Sequence, residues 1–117
     1  MNTLQSLHVY GLVDTVDKIT GLDEAAELFK VLGNDSRLAL VWLLSREPLT
    51  VGALADRAGL SQPLVSQHLR TLRQAGLVSS EREGKEIRYA LADQHVAHVV
   101  LDAIAHVQEP NDQGNEQ

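Results

Sequence analysis

Near the C-terminal end of the 117-residue chain, the stretch LADQHVAHVVLDAIAHVQEP carries Asp93, His95, His106 and Glu109, with His98 and Asp102 between them. Imidazole nitrogens and carboxylate oxygens in this mixture suit a divalent ion of borderline softness, Zn(II) first, with Co(II) or Ni(II) as alternatives. Spacing limits how they could act. His95 and His106 are eleven residues apart, about 20° past three full helical turns, so on a helix they share a face. They are also ~16 Å apart along the axis, and a Zn–N bond of ~2.0 Å cannot bridge that. A second copy of the helix, laid antiparallel across a two-fold axis, sets His95 against the partner's His106 and generates two equivalent sites. Glu109, three residues beyond His106, lies on the same edge. Asp93 precedes His95 by two, a poor spacing inside a helix but an allowed one at its irregular start. The expected ligand set is therefore Asp93 and His95 from one chain with His106 and Glu109 from the other. Asp93 has a competing role as helix N-cap. His98 is read as a surface residue or a supplementary ligand. Asp102 is read as an acid on the helix surface or one that hydrogen-bonds a ligand; its i,i+4 spacing to both His98 and His106 also allows a site within one helix.

These side chains need elements to position them, and punctuation along the chain supplies an order. TGLDEAAELFKVLG reads as a helix, with Asp23 and Glu24 at its positive end, Leu28, Phe29 and Leu32 on its apolar face, and Gly33 as its stop. NDSRLALVWLLSREP reads as a second helix closed by Pro48, with Trp42 expected in the core. LTVGALADRAGL reads as a short third helix ended by Gly59. In SQPLVSQHLRTLRQAGLV, Ser61 is an N-cap, Pro63 suits the first turn, and Val65, Leu69 and Leu72 form one buried face. Two β-prone runs then flank Glu83-Gly84-Lys85, a hairpin turn. The histidine-bearing helix is last and stops at Pro110. The expected organisation is an N-terminal extension over 1–20, one domain over 21–109 and a disordered polar tail over 110–117. The fold class is mainly α with a small β-hairpin, in the order of a winged helix-turn-helix.

Composition narrows the function. With no cysteine, thiolate metal sites and disulfides are excluded. Neither a membrane span nor a secretion signal is read, so a cytoplasmic location is expected. The net charge of −6 at first argues against nucleic acid. Its distribution argues the other way: Arg70, Arg73, Arg82, Lys85 and Arg88 outnumber Glu81, Glu83 and Glu86 within residues 61–90, while the acids gather at the two ends. On the 62–75 helix, Gln62, Ser66, Gln67, Arg70, Arg73 and Gln74 fall opposite the apolar face. Gln and Arg are the side chains that read base edges bidentately, and a short Ser lets a helix approach DNA closely. Arg82, Lys85 and Arg88 around the hairpin could reach phosphates or a minor groove. His68 is expected to face DNA or the edge of the core.

The segments LFKVLGNDSRLALVWLL, LADRAGLSQPLVSQHLRTLRQAGLV and GKEIRYAL closely resemble the ArsR/SmtB family of small repressors, over residues 23 to 109. The resemblance implies a winged-helix homodimer whose first and last helices form the interface. It also implies a repressor that leaves operator DNA when metal binds. The D-x-H and H-x-x-E pair is similar to the C-terminal-helix zinc site of one branch, matched at all four positions. Thr50 and Gly52 stand where another branch carries cysteines, which argues against thiophilic metals. His8 lies where some family members add a ligand for six-coordinate nickel or cobalt. Gln67 stands where the family often has a histidine that couples metal to DNA. A repressor answering a non-metal signal is the alternative. An enzyme is not expected, because four protein ligands at a dimer seam leave neither an open coordination position nor a base beside a pocket.

Overall fold

The computed structural model describes residues 19–110. His8, almost all of the 1–20 extension and the tail beyond Pro110 lie outside the described residues.

Helix α1 spans Leu22–Leu32, with Asp23 and Glu24 in its first turn and Lys30 in its last, as the helix dipole favours. Helix α2 spans Asp35–Leu44. Its cap is Asn34, whose Oδ1 accepts the Arg37 N–H at 2.9 Å. The two-residue strand β1 (Leu49–Thr50) runs directly into α3 (Val51–Ala58), capped by Thr50 Oγ1, which accepts the Ala53 N–H at 3.3 Å. Helix α4 spans Gln62–Gln74, and Ser61 Oγ accepts the Leu64 N–H at 3.3 Å. Its end needs a residue in the left-handed region, and Gly76 at φ +77 supplies it. The bonds Gly76 N–H to Arg73 O (3.0 Å) and Leu77 N–H to Leu72 O (2.9 Å) complete a Schellman motif.

Strands β2 (Val78–Glu83) and β3 (Glu86–Leu91) pair antiparallel through a two-residue turn. Gly84 takes the positive φ of its first position (+64), as a type II′ turn requires. The sheet order is β1-β3-β2, with Leu49 opposite Tyr89 and Thr50 opposite Arg88. Helix α5 spans Gln94–Gln108. Leu40, Leu54, Val65, Leu69, Leu72 and Leu77, all at 0% exposure, form the centre of the core, and Val100 of α5 packs onto it. Among the described residues no polar or charged side chain is buried. Helix-turn-helix α3–α4, followed by the β2–β3 wing, gives the winged arrangement expected from the sequence.

Three details depart from that reading. β1 was not foreseen; it is a third strand that ties the wing to the start of α3. Helix α2 ends at Leu44, ahead of Pro48, and Ser45 turns its hydroxyl onto the Trp42 carbonyl. Trp42 is not in the core: it is 37% exposed, and the Arg46 guanidinium lies 5.3 Å from its ring centroid. Residues 40–44 are uniformly apolar, and α2 buries Leu40, Val41 and Leu44 while leaving Trp42 outside.

Candidate functional site

Two surfaces carry the side chains singled out by the sequence. The first is the outer face of α4 with the wing beside it. Val65, Leu69 and Leu72 fix the rotation of α4 by burying its inner face completely. Each such burial contributes about 1.5–3 kcal/mol, so the helix cannot roll cheaply. Gln62, Ser66, Gln67, Arg70 and Arg73 are consequently all exposed, together on the outward side. His68 is half-buried at the edge of the core. A cleft of about 380 Å³ separates the start of α4 from the wing, lined by Thr50, Gly52, Gln62, Ser66, Lys85 and Glu86. Lys85 stands at the wing tip.

The wing's cations are not equivalent. Arg88 donates from Nε to Glu83 Oε1 at 3.0 Å and from Nη1 to the Pro48 carbonyl at 3.4 Å. Its strand partners are Glu81 on one side and Thr50 on the other. It holds the wing to β1 with two of the five guanidinium N–H donors. Arg82 makes only a long bond to the Gly84 carbonyl, at 3.4 Å, and is exposed. Among the described residues, the cations of this surface with no carboxylate partner are Arg70, Arg73, Arg82 and Lys85.

The second surface is α5 with α1 beside it. Asp93 caps α5: its Oδ1 accepts the His95 N–H at 2.9 Å and the Val96 N–H at 3.2 Å. The same oxygen lies 3.5 Å from His95 Nδ1. All three contacts fall on Oδ1, which leaves the second carboxylate oxygen for another partner. Cap and ligand are therefore compatible roles, and capping itself holds the carboxylate beside the imidazole. The His95 side chain is 94% exposed and Asp93 57%. At the far end of α5, His106 lies in the last turn and Glu109 follows as C-cap, its N–H reaching the His106 carbonyl at 3.4 Å. His98 and Asp102 are exposed between the two pairs. Among the described residues no three metal-binding side chains of one chain come together. The structure brings Asp93 to His95 and keeps His106 near Glu109, but holds the two pairs at opposite ends of a fifteen-residue helix.

The same face is apolar and open. Phe29 of α1 is 57% exposed, Leu22 42%, Val99 38% and Val107 76%. Phe29, expected on the buried face of its helix, has no core of its own to enter. The N-terminal end of α5 is also tied to the recognition element: the Ala92 N–H donates to the Leu77 carbonyl at 3.0 Å. Leu77 in turn closes the Schellman motif of α4. That link was not readable from the sequence, because it depends on how β2 leaves α4 and β3 returns.

A helix-turn-helix with a three-stranded wing and an outward Gln/Arg face is the arrangement of a DNA-binding regulator. Residues 34–80 match the family model for bacterial regulatory proteins of the arsR family. The HTH-type transcriptional repressor SmtB of Mycobacterium tuberculosis is 49% identical over 88 residues, which are 75% of this chain and 65% of that repressor. A Synechocystis transcriptional repressor, an SmtB homolog, is 36% identical over 106 residues, covering 88% of this chain and 80% of its own. A homodimeric winged helix-turn-helix DNA-binding domain from Mycobacterium bovis superposes with a TM-score of 0.69 at 31% identity, over 77% of this chain and 87% of that one. The chain belongs to the ArsR/SmtB family. It spans about two-thirds of the length of the M. tuberculosis repressor.

Proposed function

We propose that this protein is a zinc-responsive transcriptional repressor of the cytoplasm, a homodimer through α1 and α5 that binds a two-fold symmetric operator and leaves it when Zn(II) binds. One observation carries the metal assignment: Asp93 and His95 are held side by side at one end of α5, His106 and Glu109 share the other, and all four are exposed on a face whose apolar residues lack a partner. Antiparallel pairing of two α5 helices makes two complete N₂O₂ sets from these halves. That donor set fits a tetrahedral borderline ion. When bound, Zn(II) supplies a crosslink between protomers.

The chain's own residues would do the rest. Four carboxylates and four imidazoles gather at the seam, and no lysine or arginine follows Arg88 to offset the acids. The acids therefore repel one another until a dication neutralises them. Drawing Asp93 and His95 toward the partner pulls on Ala92, and through its bond to Leu77 on the C-terminal end of α4. The two recognition helices must lie one DNA turn apart to enter successive major grooves. A shift at the end of α4 breaks that match. Gln62, Ser66, Gln67, Arg70 and Arg73 are assigned to the bases, with Arg82 and Lys85 on phosphates, and Arg88 positions the wing.

Coupling must be reciprocal. About 3 kcal/mol between the sites would change operator affinity ~150-fold, and DNA would weaken zinc binding by the same factor. The test is fluorescence anisotropy on a two-fold symmetric duplex selected from a random pool. Zinc is expected to release the wild-type protein and to leave His106→Ala bound. Equal release of both proteins, or of neither, would contradict the proposal. The visible spectrum of the Co(II) form should be that of a four-coordinate ion.

A further inference from the structure

A groove of about 180 Å³ lies between α1 and the start of α5. Its apolar walls include Leu28, Leu32, Val96 and Val99, and Asp93 and His95 lie on its rim. At the other end of α5, Val107 is 76% exposed, the most exposed large apolar side chain among the described residues, and it sits between His106 and Gln108. A β-branched apolar residue in a last helical turn gains nothing there for its own chain.

The groove and the knob meet by register. If His95 lies opposite the partner's His106, each residue of α5 lies opposite the one whose number brings the sum to 201. Residue 107 then falls opposite residue 94, at the mouth of the groove. About 100° per residue separates 107 from 106, so a helix presenting His106 to the partner's His95 turns Val107 to the adjoining side. On the receiving helix that adjoining side, one residue on from His95, is Val96, the groove wall.

We propose that the partner's Val107 seats in the groove between α1 and α5, one such contact at each end of the seam, and that this seating sets the register of the shared metal sites. The occupant is a second copy of this chain, and the inference rests on the antiparallel pairing of α5 proposed above. The apolar contact needs no metal. It assembles the dimer with the partner's His106 and Glu109 already beside Asp93 and His95, so that binding a metal does not have to organise the helices from a free state.

The test is Val107→Asp, measured without metal by sedimentation equilibrium. Because Val107 touches little of its own chain, the circular dichroism spectrum should be unchanged. The dimer dissociation constant should rise on the order of 100-fold or more, since two apolar contacts are lost per dimer. A dimer as tight as wild type overturns the seating, whatever the metal does. His106→Ala is the separate arm: it should dimerise normally and lose tight zinc binding. A normal dimer with zinc retained in that variant would overturn the metal reading while leaving the seating intact. The absence of native cysteine allows a direct check of proximity. The double variant Leu28→Cys, Val107→Cys should form a disulfide-linked dimer on mild oxidation, visible on a non-reducing gel. No crosslink, or one confined to single chains, overturns the proposal.

Discussion

The α3–α4–wing half and the α1–α5 face are built on opposite terms. In the first, every large apolar residue of α4 except Leu64 is fully buried, and the polar side chains are left outside by default. In the second, Phe29, Val99, Leu101 and Val107 are open, and the proposed metal ligands stand in two separate pairs. One region is finished within a single chain. On the proposed function the other is completed by a second copy, and that is where a signal would act without unfolding the reading head.

Changes on the buried side of the first region should therefore cost stability and recognition together, and changes on its outer side recognition alone. Leu69→Ala removes a fully buried side chain from the centre of α4. It is expected to lower unfolding free energy by about 2–5 kcal/mol in urea titrations. Loss of that much stability with full operator binding retained would break the contrast. Next in size, Arg70→Ala should leave stability unchanged and weaken binding to the selected operator by about 1–3 kcal/mol, with selectivity relaxed at one base pair. A uniform loss across sequences would reassign Arg70 to phosphate.

Asp93 sharpens the comparison, because its two roles separate by substitution. Asp93→Ala should destabilise by ~1 kcal/mol through the lost cap, whereas Asp93→Asn should keep the cap to within a few tenths. Both should weaken zinc binding in a chelator competition. Zinc affinity retained in Asp93→Asn would confine this residue to capping. The smallest effect is expected at the wing tip. Lys85→Ala should lower the slope of log affinity against log salt by about one, with sequence preference unchanged.

Much of this was legible before the fold. Ser61, Pro63 and the spacing of Val65, Leu69 and Leu72 announce α4 and its buried side, and Gly84 announces the hairpin. β1 was not legible, since two residues make no pattern of their own and only their pairing with Tyr89 and Arg88 defines them. Trp42 was misplaced because an unbroken apolar run has no periodicity to say which residue faces out. Arg88 resembles the other wing cations in sequence, and only its side-chain hydrogen bonds to Glu83 and Pro48 set it apart. The spacing of His95 and His106 placed them on one face of α5, but the double role of Asp93 needed the actual cap geometry.

The most direct test of the shared site is complementation within a mixed dimer. One chain carries Asp93→Ala and His95→Ala, the other His106→Ala and Glu109→Ala, and differently tagged chains are co-expressed and purified as the heterodimer. Neither parent homodimer should bind zinc tightly, and the heterodimer should recover one tight site, built from the intact His106 and Glu109 of the first chain and the intact Asp93 and His95 of the second. A heterodimer as weak as its parents, or a parent that still binds one zinc per chain, would contradict a site made by two copies of α5.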